Sequence, residues 1–286
     1  MAIRFGVNTW VWTAPFNTDA TKLFPKIKKM GFDVAECPVE DPAIIDVKKV
    51  GEELKKNKLG CTVCGAFGPD RDLTNDDPAI QENCLRYVRT CIDCAVAWGS
   101  SVVVGPVYSA VGKARLVSAE QKKIEWDRAV TNLRKAAKMA ADAGVRIAIE
   151  PLNRFEIDLI NTAEQALQMV KDVGEKGLGI HLDSFHMGIE ENCIVGAIKT
   201  AGKHLIHFHS CENNRGTPGT GLVRWDDVAT GLKAVKYDGA VVIESFTPEV
   251  TSIAKAAAIW RKLAPSQDRL ASDGLKFLKK LLKGVK

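Results

Sequence analysis

Short apolar runs alternate with longer segments of helical periodicity along the whole sequence. The apolar runs predict β-strands at residues 5–9, 32–36, 61–67, 102–108, 145–150, 178–183, 205–209 and 240–246. Helical patterns cover residues 18–30, 43–58, 78–98, 118–142, 162–173, 194–201, 225–235 and 253–263. A strand followed by a helix, repeated in one series, predicts an α/β fold with a single (β/α)₈ barrel over residues 1–286. The basic segment 266–286 predicts an extra C-terminal helix.

A doubly wound open sheet is the alternative architecture for the same alternation. Near-continuous apolar strands fit both folds, because parallel strands are buried on both faces. No Gly-x-Gly-x-x-Gly sequence follows the first predicted strand. Its absence disfavours a dinucleotide-binding sheet and favours the barrel.

Composition narrows the range of partners. The chain is 46% hydrophobic and carries a formal charge of +5, which is ordinary for a globular protein and does not require a nucleic-acid partner. No useful apolar region precedes Asn8, and no apolar run approaches the ~20 residues of a membrane span. We therefore expect a cytoplasmic protein that binds neither nucleic acid nor membrane.

Four consecutive predicted strands, the fifth to the eighth, end in groups that bind metal ions: Glu150, Asp183, His209 and Glu244. The carboxyl ends of barrel strands meet at one rim, so these side chains are expected to converge. Three carboxylates and one imidazole suit Mn²⁺, Mg²⁺ or Co²⁺ better than a thiolate-preferring ion. The sequence therefore predicts one divalent ion per subunit.

The histidines add to this pattern. His181 and His207 each precede a strand-end ligand by two residues. Their side chains therefore point to the same face of the sheet as that ligand and are expected inside the barrel. His204 comes before its strand and is expected at the far side. Three loop residues follow the strand ends at short intervals and are candidate contacts around the site: Glu156, His186 and Arg215. The glycine-rich loop around Arg215 lacks the Lys-Ser/Thr of a P-loop, so a phosphorylated substrate is not required.

Two Cys-x-x-Cys pairs, Cys61/Cys64 and Cys91/Cys94, leave a zinc-stapled binding module as a non-enzymatic alternative. One pair lies in a predicted strand, where positions three apart face opposite sides, and the other lies in a predicted helix. This difference favours reduced, buried thiols over a zinc site.

Four segments resemble one enzyme family, namely I-E-P-L-N-R-F-E (149–156), H-L-D-S-F-H-M-G-I-E-E (181–191), H-F-H-S-C-E-N-N-R-G (207–216) and V-I-E-S-F (242–246). They resemble the ketose 3-epimerases of the xylose-isomerase-like barrels, which act on D-tagatose, D-allulose (D-psicose) or L-ribulose. The resemblance covers essentially the whole chain. It implies Mn²⁺ or Co²⁺ at the four strand ends and a homodimer or homotetramer.

The resemblance also implies roles for pocket residues. Glu156, His186 and Arg215 are expected to hold the carbonyl end of the sugar. Several relatives carry an aromatic residue where Val111 falls and another near Asn8, so Asn8 is expected to shape the pocket. Trp12 and Phe246 are then expected to supply the apolar wall.

Epimerisation at C3 of a free ketose removes a proton next to the ketone and returns one to the opposite face. This chemistry requires two acid/base groups, for which Glu150 and Glu244 are the candidates, and a Lewis acid for the enediolate. An aldose–ketose or hydroxypyruvate-type isomerase on the same barrel is the alternative. A metal-dependent abasic-site endonuclease, which needs more histidines than the five present, is disfavoured.

Overall fold

Eight parallel strands close into a barrel in the computed structural model, which describes residues 3–285. The strands are β1 (Arg4–Asn8), β2 (Val34–Val39), β3 (Gly60–Gly65), β4 (Val102–Gly105), β5 (Arg146–Ile149), β6 (Leu178–Asp183), β7 (Leu205–His209) and β8 (Ala240–Ile243). Each strand pairs with the next, and β1 pairs with β8. The predicted (β/α)₈ barrel is confirmed.

Helices follow the strands and cover the barrel from outside. They are α1 (Phe24–Met30), α2 (Val47–Lys56), α3 (Pro78–Trp98), α4 (Ala119–Asp142), α5 (Ala163–Val173), α6 (Ser184–Glu190), α7 (Ile194–Ala201), α8 (Trp225–Ala234), α9 (Thr251–Ala256) and α10 (Gln267–Leu281). The extra C-terminal helix is α10, whose buried leucines include Leu275 and Leu278. In residues 3–285 no helix combines the length and apolar character needed to cross a bilayer.

Local sequence explains where the helices begin and end. The Ser118 side chain accepts a hydrogen bond from the backbone N–H of Gln121 and caps α4. Thr162 and Gln165 form a reciprocal capping box at the start of α5. Gly174 ends α5 in the left-handed conformation, at a φ of 72°.

The fourth strand is shorter than predicted, because its apolar pattern continues past the last ladder residue. Gly105 has a φ of 129°, and Pro106 has no N–H to donate to a neighbouring strand. The chain turns there, and Tyr108 is buried outside the sheet. Its hydroxyl donates to the backbone oxygens of Glu150, at 2.8 Å, and Ile160, at 3.0 Å. Tyr108 thereby ties the loop after β4 to the loop after β5.

Other element bounds also differ from the prediction. Strand β2 continues to Val39, three residues past the predicted end at Glu36. Strand β3 ends at Gly65, two residues before the predicted end. A short helix, α6, follows β6 directly, since Asp183 accepts a hydrogen bond from the Phe185 N–H at 2.8 Å and caps it. Helix α9 ends at Ala256, well before the predicted end at residue 263.

The register between β6 and β7 positions the barrel's polar interior. His181 lies beside His207, and Asp183 lies beside His209. All four side chains are buried. The two histidines expected inside the barrel are therefore confirmed there, immediately below the strand ends.

Candidate active site

The four strand-end ligands predicted from sequence converge at the carboxyl rim of the barrel. Glu150 follows β5, Asp183 ends β6, His209 ends β7 and Glu244 follows β8, and all are buried. Glu150, Asp183 and His209 each offer one ligand atom, and these atoms lie within 4.8 Å of one another. Ligand atoms of Asp183, Glu244 and Cys211 also lie within 4.8 Å of one another. Four donors from distant segments thus meet in one place.

Arg215 lies between these carboxylates. Its Nη1 is 2.6 Å from Asp183 Oδ2 and 2.8 Å from Glu244 Oε2. Its Nη2 is 3.2 Å from Nε2 of His186. The buried guanidinium therefore compensates the negative charge of the strand ends.

The loop that carries Arg215 is held by its own contacts. Arg215 has a φ of 63°, in the left-handed region, and its backbone oxygen accepts from the Ser245 hydroxyl at 2.5 Å. Buried Glu212 accepts from the Gly219 N–H at 2.7 Å and from the Trp225 indole N–H at 2.6 Å. These hydrogen bonds tie the segment to the start of α8 and to the residues just after β8.

The two candidate acid/base carboxyls have their pKa values driven in opposite directions. Burial raises the pKa of Glu150 well above its ordinary value. The charge of His209 lowers this pKa, and the charges of Glu244 and Asp183 raise it further. Burial also opposes ionisation of Glu244, but His209 and Arg215 lower the pKa of that carboxyl below its ordinary value. In the absence of a bound cation, these surroundings oppose the charged form of Glu150 and favour the charged form of Glu244.

Glu36 is a site residue that the sequence interpretation missed. It lies in β2, is fully buried, and has Oε1 2.6 Å from His209 Nε2 and Oε2 2.9 Å from His207 Nε2. The Thr62 hydroxyl donates to Oε2 at 2.8 Å. A signal was present, because the second predicted strand also ends on this acid.

The donor set fits a divalent cation. With Nε2 of His209 facing Glu36, the Nδ1 atom is left on the carboxylate side, 3.4 Å from Glu244 Oε1. This Nδ1 is buried and makes no hydrogen bond with residues 3–285. Carboxylate oxygens and one imidazole nitrogen are the donors that a hard or borderline divalent ion prefers.

A cavity of about 480 Å³ opens above this cluster. The predicted site residues that line it are Glu150, Glu156, His186, Arg215, Glu244 and Phe246. Asn153 supports two of them: its Nδ2 donates to Glu156 Oε1 at 2.8 Å and lies 3.0 Å from His186 Nδ1. The position of Val111, singled out from the sequence, also lines the cavity.

Asn8 and Trp12, by contrast, do not line this cavity, and their sequence-based assignment to the sugar pocket is corrected. Asn8 is fully buried and donates to Glu36 Oε1 at 3.0 Å. Trp12 donates to Asp268 Oδ1 at 2.7 Å and lines a separate cavity. Trp10 lies in the main cavity instead, 5.8 Å from Phe246 between ring centroids. Trp10 lies in a 3₁₀ turn, Thr9–Val11, and Trp12 follows that turn. Side chains two positions apart there face different directions, so of these two residues only Trp10 reaches the cavity.

The Cys-x-x-Cys pairs do not converge on a metal site in residues 3–285. Cys64 lines the cavity, whereas Cys61 packs in the main hydrophobic core with Cys91 and Cys94 of α3. No group of close ligand atoms within these residues combines cysteines of the two pairs. All four thiols are buried, and none forms a disulfide.

Comparison with known proteins identifies the same family that the four sequence segments resemble. Residues 24–281 match the family model of the xylose isomerase-like TIM barrel. The chain is 33% identical to a probable ketose 3-epimerase of Synechocystis sp., over 97% of this chain and 96% of the relative. It is 31% identical to the D-psicose 3-epimerase of Ruminiclostridium cellulolyticum, over 95% of this chain and 93% of that protein.

A solved structure, the D-allulose 3-epimerase from Methylomonas sp. in complex with D-allulose, superposes with a TM-score of 0.92 at 29% identity. It covers 98% of this chain, and 97% of that chain is matched. The chain therefore belongs to the xylose isomerase-like TIM barrel family and, within it, to the ketose 3-epimerases.

Proposed function

We propose that this protein catalyses metal-dependent epimerisation at C3 of free ketoses such as D-allulose and D-fructose, D-tagatose or L-ribulose. The observation that carries the proposal is the pair Glu150 and Glu244. Both are buried, both line one cavity, and they directly follow β5 and β8 at the same rim of the barrel. The names of the relatives support the same chemistry.

The carbonyl end of the sugar would meet polar groups that are already oriented. Arg215 and His186 are 3.2 Å apart, and Asn153 holds both His186 and Glu156 in place. Their N–H groups and carboxylate match the oxygens at C1 to C3 of a ketose. Groups that are positioned before the substrate arrives lower the entropy cost of reaching the reactive geometry.

In one direction, ionised Glu244 removes the proton from C3, and the C–H electron pair passes into a C2–C3 enediolate. Protonated Glu150 then delivers its proton to the opposite face of C3, which restores the ketone with inverted configuration. The roles exchange in the reverse direction. A divalent ion held by Glu150, Asp183, His209 and Glu244 would supply Lewis-acid stabilisation of the enediolate charge.

The decisive experiment is product analysis by NMR after incubation of D-allulose with protein and Mn²⁺ in D₂O. Epimerisation predicts D-fructose with deuterium at C3. An aldose product with deuterium on an adjacent carbon would show the aldose–ketose isomerase reaction instead. Parallel incubations with Mn²⁺, Co²⁺ and Mg²⁺ rank the ions that we propose for the site.

We also propose, from the family resemblance, that the protein is a homodimer or homotetramer. Light scattering coupled to size-exclusion chromatography measures the mass directly.

A further inference from the structure

The cavity has a second polar end, across the barrel from the metal ligands. In a closed barrel of eight strands, β2 and β3 lie opposite β6 and β7. Glu40 directly follows β2, and Asp70 and Arg71 lie in the loop after β3; all three line the cavity. We call these three residues the distal end.

Arg71 is fixed in this position by contacts on two sides. Its Nη1 donates to the backbone oxygens of Glu40 and Ala66, each at 3.0 Å. Its guanidinium carbon stacks 3.8 Å from the ring centroid of Tyr87. The Tyr87 hydroxyl in turn accepts from the Ala66 N–H at 2.8 Å. The side chain is only 20% exposed, so its orientation is set before a ligand binds.

Several donors of Arg71 remain available. A guanidinium has five N–H groups, and the contacts of Nη1 account for two of them. The N–H groups of Nε and Nη2 make no hydrogen bond with residues 3–285, and the carboxylate of Asp70 lies 3.9 Å from Nε. Arg71 lines the cavity. Its remaining N–H groups are suited to donate hydrogen bonds to oxygen atoms of a ligand bound there.

The charge of the distal end favours a neutral ligand. Glu40 and Asp70 carry carboxyl groups beside the single cation, so the end has no excess of positive charge. A phosphate or carboxylate would meet acids as well as Arg71. Hydroxyl groups, which both donate and accept hydrogen bonds, match the mixture of guanidinium and carboxyl groups.

We propose that Arg71 is a specificity-determining residue that binds the terminal hydroxyl groups of a six-carbon ketose. The inference rests on the proposed function, which places C1 to C3 between Glu150 and Glu244 and directs the other end of the sugar toward β2 and β3. A five-carbon ketose lacks the C6 hydroxyl and leaves Arg71 donors unpaired. The protein therefore favours ketohexoses over ketopentoses.

The test compares D-allulose with its five-carbon analogue D-ribulose in wild-type protein and in Arg71→Met. Removing a hydrogen bond from a charged donor should lower kcat/KM for D-allulose by about tenfold or more. The loss should appear in KM, because the distal contact is the same in ground and transition states. The value for D-ribulose should stay within about twofold.

Two controls separate recognition from structure. Arg86→Met removes an exposed arginine of α3, one residue from Tyr87. It should leave kcat/KM unchanged for both D-allulose and D-ribulose. Thermal unfolding of Arg71→Met reports the loss of the two carbonyl contacts. An equal fall in kcat/KM for both sugars would assign Arg71 a structural role and overturn the proposal. Unchanged kcat/KM values for both sugars would overturn it as well.

Two further outcomes are decisive. Preference of the wild type for D-ribulose, or for D-allulose 6-phosphate over D-allulose, would also overturn it. Calorimetric binding of D-allulose to wild type and Arg71→Met tests the contact without turnover. If neither sugar is epimerised at C3 but binding still depends on Arg71, the proposed function fails and the distal contact stands.

Discussion

Glu36 Oε1 lies 2.6 Å from Nε2 of His209, and this contact turns the other nitrogen of the ring toward the carboxylates at the barrel rim. A histidine that binds a metal commonly places its second nitrogen against such a carboxylate, which fixes the ring and its tautomer. Glu36 is held in turn by Asn8, at 3.0 Å, and Thr62, at 2.8 Å. The candidate metal site therefore has supporting contacts below the rim, inside the barrel.

We expect Glu36→Gln to weaken Mn²⁺ binding by about 10- to 100-fold, the usual loss when a partner of a metal-binding histidine is replaced. The amide carries no charge to hold the ring of His209. Isothermal titration of metal-free protein with Mn²⁺ measures the effect. Thr62→Val, which removes one hydrogen bond to Glu36, serves as the matched control and should cost less. Unchanged Mn²⁺ affinity in a folded Glu36→Gln protein would contradict this role.

Glu150→Gln and Glu244→Gln should each lower kcat for C3 epimerisation by about 10² to 10⁴, the range of general acid–base catalysis. Each substitution removes one proton-transfer group, and a single remaining group serves only one face of C3. Chromatographic assay at saturating Mn²⁺ measures the loss. Glu164→Gln, an exposed acid on α5, should leave kcat within about twofold. Near-normal epimerisation by either site variant would exclude the two-carboxyl scheme.

Arg215→Met should destabilise the metal-free protein by about 3–5 kcal/mol, because it leaves Asp183 and Glu244 buried without their cation. A divalent ion offsets the same negative charge, so Mn²⁺ should recover much of the lost stability. Urea unfolding in EDTA and in excess Mn²⁺ measures both free energies. An equal loss under the two conditions would show that charge compensation is not the reason.

Lys113→Met should lower the free energy of unfolding by about 3 kcal/mol. Lys113 Nζ lies 2.9 Å from Asp72 Oδ2 and 2.6 Å from the Thr74 hydroxyl, and the Asp72 side chain is only 3% exposed. The substitution leaves that carboxylate buried without its cation. Lys123→Met breaks the exposed pair with Asp127 and should cost no more than about 0.5 kcal/mol. Chemical denaturation that gives equal losses for the two variants would contradict the difference in burial.

The barrel and the four ligands at its rim were predictable because both follow from local pattern. Alternating strand and helix segments specify the fold class, and parallel strands in a barrel bring their carboxyl ends together whatever the loops do. Glu150, Asp183, His209 and Glu244 needed only to be located at strand ends. Element bounds were less predictable where apolar residues continue beyond the ladder, as they do after Gly105.

The sequence alone thus determined the fold class, the rim at which the candidate ligands meet and the type of ion that such donors suit. The tertiary structure decided which side chains support that chemistry. Glu36 contacts His209 across 173 positions of sequence, and Trp10 rather than Trp12 faces the cavity. Arg71 reaches the cavity from the opposite side of the barrel. These relationships depend on side-chain direction and on loop paths across the rim, which spacing along the chain does not encode.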